Sequence, residues 1–174
     1  NLTMNGRKNR ISYRLVKLDK EERMIDLNKP QLLKGFNEVT KGNGYYKARL
    51  STAASPKELM AGNYMLRSIS KAKNTDHVIY TMESFEQYPD LHYATLDFKK
   101  SIRLTHGIDQ QKDYLWGTAE LVSWISLDGR KLEGVVYKPA DFDPAKKYPM
   151  IVSFYERNSE TLFNYRMPEP HRST

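Results

Sequence analysis

The feature that most constrains this chain is a period of two in its side chains. "ISYRLVKLD", from Ile11 to Asp19, alternates Ile11, Tyr13 and Leu15 with Ser12, Arg14 and Val16. "GYYKARLS" sets Tyr46, Ala48 and Leu50 against Tyr45, Lys47 and Arg49. "HVIYTME" and "DLHYATLD" continue the alternation with Val78, Tyr80 and Met82, then Leu91, Tyr93 and Thr95. Successive side chains of a strand point to opposite faces, so this pattern fits half-buried antiparallel strands and not helices. The separators "KGNG", "ASPKE", "KNTD" and "EQYPD" hold the Gly, Pro, Asn and Asp that turns require. Short strands at regular spacing predict a sandwich, barrel or propeller. Helix signals are thin. "SPKELMAG" gives at most one helical turn, and "KEERMIDLNKPQLLKGF" contains Pro30, which points to a turn or a strand edge.

The pattern changes near Trp116. In "ELVSWISLDGRKLEGVVYKP" two strand-like runs, 120–126 and 131–138, flank the tight-turn signal "DGR", so a hairpin is expected. "ADFDPAKKYP" reads as a loop. "MIVSFYE" is nearly all apolar, which predicts a strand covered on both faces, as in an α/β sheet.

Composition excludes several chemistries. The chain has no cysteine, so disulfides, thiolate zinc sites and cysteine nucleophiles are absent from it. His77, His92, His106 and His171 are far apart and lack ligand spacing, so no metal site is expected. "GNG" at Gly42–Gly44 lacks the rest of a phosphate loop or dinucleotide fingerprint and reads as a hairpin turn, so no cofactor is expected. The net charge of +7 comes from scattered Lys and Arg, not one dense run, and no nucleic-acid partner is expected. The 12 tyrosines fall at strand positions, where packing explains them better than base stacking. No run approaches the length of a membrane span, and "NLTMNGRKNR" shows no apolar leader. "NLT" matches a glycosylation sequon by pattern alone. No serine sits in a Gly-x-Ser-x-Gly elbow; Ser123, Ser126 and Ser153 are expected within strands.

"YTMESFEQYPDLHYATLDFKKSIRLTHG" resembles the last propeller-blade segment of the prolyl oligopeptidase family of serine peptidases, in its dipeptidyl-peptidase-IV-like branch. "AELVSWISLDGRKLEGVVYKPADFDPAKKYPMIVSFYE" resembles that family's entry into its α/β-hydrolase domain, and "NYRMPEPHRST" resembles members of the same branch. The resemblance implies a mainly β fold: C-terminal blades of a β-propeller over residues 1–117, then the opening strands of a truncated α/β-hydrolase domain over 118–174. It implies that Tyr155 donates its hydroxyl to an oxyanion hole, where such donors are worth about 3–4 kcal/mol at the barrier. "ERNSE" follows this Tyr where many relatives have a Gly-Gly-Pro-like turn. The catalytic Ser, Asp and His would lie beyond residue 174, and His171 does not replace them.

The function this implies is that of a fragment of a serine peptidase that cleaves short peptides by acyl transfer, inactive by itself. Its partners would be short peptide substrates and the remainder of the same polypeptide, with a homo-oligomer left open. Its location would be periplasmic or secreted. The alternative is a non-catalytic β-rich binding or interaction module. Unpaired strand edges would make the isolated chain prone to aggregate or dependent on a partner.

Overall fold

The structure is a computed structural model and describes residues 6–19, 21–52 and 54–168. Asn1 of the sequon and His171 fall outside these residues. The chain is mainly β, with ten antiparallel strands among the described residues and almost no helix. Strands β1 (Ile11–Leu15), β2 (Pro30–Asn37), β3 (Asn43–Arg49) and β4 (Lys57–Gly62) form one sheet in sequence order. Strands β5 (Met65–Lys71), β6 (His77–Glu83), β7 (Asp90–Thr95) and β8 (Ser101–Arg103) form a second, also in sequence order. Strands β9 (Thr118–Ile125) and β10 (Lys131–Lys138) make a separate hairpin. Neither a closed barrel nor a closed propeller is present among the described residues.

The alternating segments do form strands, and the hairpin forms around Asp128–Arg130, with Gly129 at φ +80. Pro30 is the first residue of β2, where its missing N–H costs least. "SPKELMAG" is corrected. It builds β4, not a helical turn, because β3 offers a backbone to pair with and Leu59 and Met60 pack on the core. A weak local helix signal loses to pairing and burial.

The two four-stranded sheets meet through one apolar cluster. Leu32 and Tyr45 come from the first sheet, Leu66, Val78, Tyr80 and Ala94 from the second, and Phe98 from the turn after β7. Tyr45 stacks on Phe98 with centroids 4.8 Å apart and meets Tyr80 edge-on at 5.9 Å. Burial pushes the Tyr45 phenol well above its ordinary range, so it stays neutral. The next residue, Tyr46, faces the other way and packs with Leu33, Ala48, Ile11 and Tyr13. Its ring lies over Gly35, where a Cβ would come within 2.4 Å of it. Both faces of β3 are therefore covered at Tyr45 and Tyr46, and the register with β4 slips between them.

The β7 alternation is present, but its inward face is the opposite of that expected. Asp90, His92 and Ala94 are buried, while Leu91, Tyr93 and Thr95 are half-exposed. Register decides this. Val78 pairs with Ala94, Tyr80 with His92 and Met82 with Asp90, so whatever stands opposite the Val78–Tyr80 face must share it.

Two contacts tie the hairpin to the sheets. Lys41, in the β2–β3 turn at φ +65, places its ammonium 2.7 Å from Glu133 of β10 and 2.7 Å from the Glu38 carbonyl. That hydrogen bond holds the Glu133 carboxyl below its usual range. On the other side Phe85 packs on Trp116 and Tyr137, and the Trp116 indole N–H donates to the Phe85 carbonyl at 2.7 Å. Lys41 is 5% exposed, so removing its partner leaves a buried cation unpaired. Glu133→Gln is expected to lower stability by about 1–3 kcal/mol, read by chemical denaturation.

Candidate functional site

The region where chemistry was expected is the run after β10. Residues 139–149 form turns, as read from "ADFDPAKKYP". The expected buried strand "MIVSFYE" is corrected: residues 150–155 form no strand, and Ile151 is 97% exposed, Phe154 90% and Tyr155 76%. The physical reason is the lack of a neighbour. A strand covered on both faces needs paired strands beside it and layers above and below, and none of the described elements takes those places. Ser153 accordingly lies outside any strand; Ser126 lies just past β9, where its hydroxyl accepts from the Arg130 amide at 3.0 Å.

The run is nonetheless held at both ends. Before it, Phe142 stacks on Tyr148 at 5.2 Å and lies under the Lys138 ammonium. After it comes a short 3₁₀ turn, Asn158–Thr161. With its amide set to satisfy both groups, Asn158 donates to the Tyr155 carbonyl at 3.2 Å and accepts from the Tyr155 N–H at 3.3 Å. Leu162 is buried, and Tyr165 stacks on Trp116 at 4.9 Å with an interplanar angle of 7°. The Tyr165 amide donates to Glu83 at 3.3 Å. The apolar side chains of 150–155 thus project from a segment whose two flanks are packed.

A second cluster, not foreseen from the sequence, lies on β7 and β8. Asp90 is fully buried and accepts from the Thr105 hydroxyl and the Gly107 amide, both at 2.8 Å. Arg103 stands 3.7 Å from its other oxygen. His92 is buried and stacks on Tyr80, whose hydroxyl meets that of Ser101 at 2.8 Å. Asp, His and Ser are gathered here, yet they do not make an acyl-transfer triad. His92 Nε2 has no hydrogen-bond partner, so it does not act as base to the Ser101 hydroxyl, and the Asp90 carboxylate is committed to a turn. His77 and His106 are exposed, and no group of metal-ligating side chains occurs among the described residues. A cleft of about 640 Å³ opens at one end of the two sheets, with Val16, Leu18 and Leu59 inside and lysines and carboxylates mixed at its rim.

Among the described residues no helix is long and apolar enough to cross a membrane. No protein-family model matches the chain, and no curated protein matches it. Solved structures of AtxE2 isopeptidase are similar in part. A variant with Astexin3-dC4 bound aligns at TM-score 0.48 and 12% identity, covering 86% of this chain and 27% of that one. The apo form aligns at 0.46 and 12%, covering 80% and 26%. The chain therefore spans about a quarter of the length of these proteins. The resemblance to the dipeptidyl-peptidase-IV-like branch of the prolyl oligopeptidase family is corrected by these findings: no family model supports it, and the structures found are those of an isopeptidase. Isopeptidases are peptidases in the general sense, and no catalytic triad is assembled among the described residues of this chain.

The buried His92 carries a pH consequence. Burial lowers its pKa from 6.5; Asp90 opposes the shift and Arg103 adds to it. A folded state that binds its proton less readily than the unfolded chain loses stability as pH falls below 6.5, the loss being complete below the folded value. His92→Gln is expected to flatten that part of the profile, read as unfolding midpoints above and below pH 6.5.

Proposed function

We propose that this chain is a non-catalytic, β-rich part of a peptidase, and that residues 150–155 are an assembly surface completed by further strands. The observation that carries the reading is a strand-like apolar run whose flanks are packed while its side chains stand in water. Exposed apolar patches of this kind mark contact surfaces. Among the described residues no other strand pairs with the β9–β10 hairpin, and Ile125 and Leu127 beside its turn are exposed.

The finer reading is of two consecutive propeller blades over residues 1–117 and the opening strands of a hydrolase domain over 118–174. Two four-stranded antiparallel meanders packed face to face support it, because that is the repeating unit of a propeller. The peptidase would be a serine enzyme that cleaves short peptides by acyl transfer, with nucleophile, base and acid outside these residues. Tyr155 would supply an oxyanion donor. Its phenol is exposed while its backbone is held by Asn158, which suits a group that must face a partner segment.

The chain is expected to hydrolyse no short peptide and to take no label from a serine-directed phosphonylating reagent. It is expected to self-associate, and Phe154→Asp is expected to weaken that association about tenfold or more, since burying such a side chain is worth about 1.5–3 kcal/mol. Sedimentation velocity reads the second outcome. Hydrolysis with labelling would overturn the non-catalytic assignment. Unchanged association in Phe154→Asp would overturn the assembly surface and leave the activity result standing.

A further inference from the structure

The seam between the two sheets carries more positive charge than it neutralises. Arg14 of β1 and Lys34 of β2 are direct cross-strand partners, so two cations stand side by side on the face that meets the second sheet. Like charges in that position destabilise a sheet unless an anion lies between them. The Lys34 ammonium reaches across to the second sheet and donates to the Leu66 carbonyl. Arg67 follows Leu66 on β5, and its guanidinium is close enough for its charge to act on the Lys34 ammonium. Arg67 stands where the pairing of β5 with β6 slips, and Ser68 beside it has φ +47.

Among the described residues a single carboxylate serves this group. Glu83 is buried and accepts from Arg67 Nε at 2.9 Å and from the Tyr165 amide at 3.3 Å. Among the described residues no carboxylate pairs with Arg14 or Lys34. Three cations against one committed anion leave about two positive charges unmatched, one of them on the half-buried Lys34, where screening is weaker than in open water. Lys34 responds as such a group should: burial lowers its pKa first, Arg67 and Arg14 lower it further, and Glu83 only partly opposes them. Arg14 is exposed and Arg67 is 47% exposed at the side chain, so a ligand can reach the seam from solvent.

We infer that Arg14, Lys34 and Arg67 form a binding site for a carboxylate, of the kind carried by a peptide C-terminus. A planar carboxylate suits this set, because guanidinium groups present paired donors and an ammonium adds a third direction. The site is separate from residues 150–155, and it stands whether or not the chain belongs to a peptidase.

The test uses the full chain and the acylation rate of the Lys34 amine, read by mass spectrometry of its peptide under a mild acetylating reagent. The probes are acetyl-tetraalanine with a free carboxylate, the same peptide as its carboxamide, and sodium acetate. Lys99 is the internal reference, being 82% exposed at the side chain and paired with Asp97, not with any residue of the site. The free-acid peptide is expected to slow Lys34 acylation about tenfold, the effect of one charge-assisted contact of about 1.4 kcal/mol, with Lys99 unchanged. The carboxamide is expected to have no effect, and Arg14→Gln to remove most of the protection. Protection by acetate at the same concentration would assign the site to small carboxylates; protection by the peptide alone would assign it to peptide termini. Equal protection by acid and amide, or none by either peptide or acetate, would overturn the inference.

Discussion

The contact on which the rest of this structure depends is the packing of Tyr45 against Phe98 and Tyr80 between the two sheets. Each four-stranded sheet alone has an apolar face and nothing to put on it. The ring of Tyr45 comes from the middle of the first sheet and lands on a residue from a turn of the second and on a residue from its β6. Aromatic contacts of this kind are worth about 0.5–1.5 kcal/mol beyond the area they bury. Once they form, Leu32, Leu66, Val78 and Ala94 close around them. The same packing fixes which residues meet at the seam, including Lys34 at the Leu66 carbonyl and Asn43, whose side chain accepts from the Leu66 amide at 3.2 Å.

Away from that core the balance changes. Among the described residues the hairpin is tied to the sheets by one ion pair, Lys41 with Glu133, and by aromatic packing around Phe85, Trp116 and Tyr137. Tyr165 extends this aromatic group and clamps the chain after residue 158. Between the two clamps, Met150 to Tyr155 lie uncovered. A β-prone apolar sequence in that state is unstable against association, because covering it releases water from the side chains and pairs its backbone. The sheets are complete enough to hold this run in place and supply nothing to cover it.

Much of the fold was legible in the sequence because period two is a direct imprint of the strand. The hairpin was legible too, since Asp128–Arg130 spell its turn. Which face of β7 is buried was not. Leu91 and Tyr93 are more apolar than Asp90 and His92, but the register with β6 and the Thr105 and Gly107 donors make burial of Asp90 affordable. The "MIVSFYE" run shows the reverse failure. Its composition describes the surroundings such a strand needs, not those present here. Tyr155 could be singled out only through a resemblance that the comparisons do not support. The seam of Arg14, Lys34 and Arg67 left no sequence signal, because its members are brought together by sheet packing across more than thirty residues.

Amide hydrogen exchange along the chain tests the account most directly. Exchange reports local opening, and amides in packed, paired strands are protected while those of an uncovered run are not. Slow exchange is expected in β2, β3, β6 and β7, intermediate exchange in the hairpin, and fast exchange from Ile151 to Phe154 in the monomeric chain, with protection of that run appearing only on association. Protection of Ile151 to Phe154 equal to that of β6 in the monomer would contradict this.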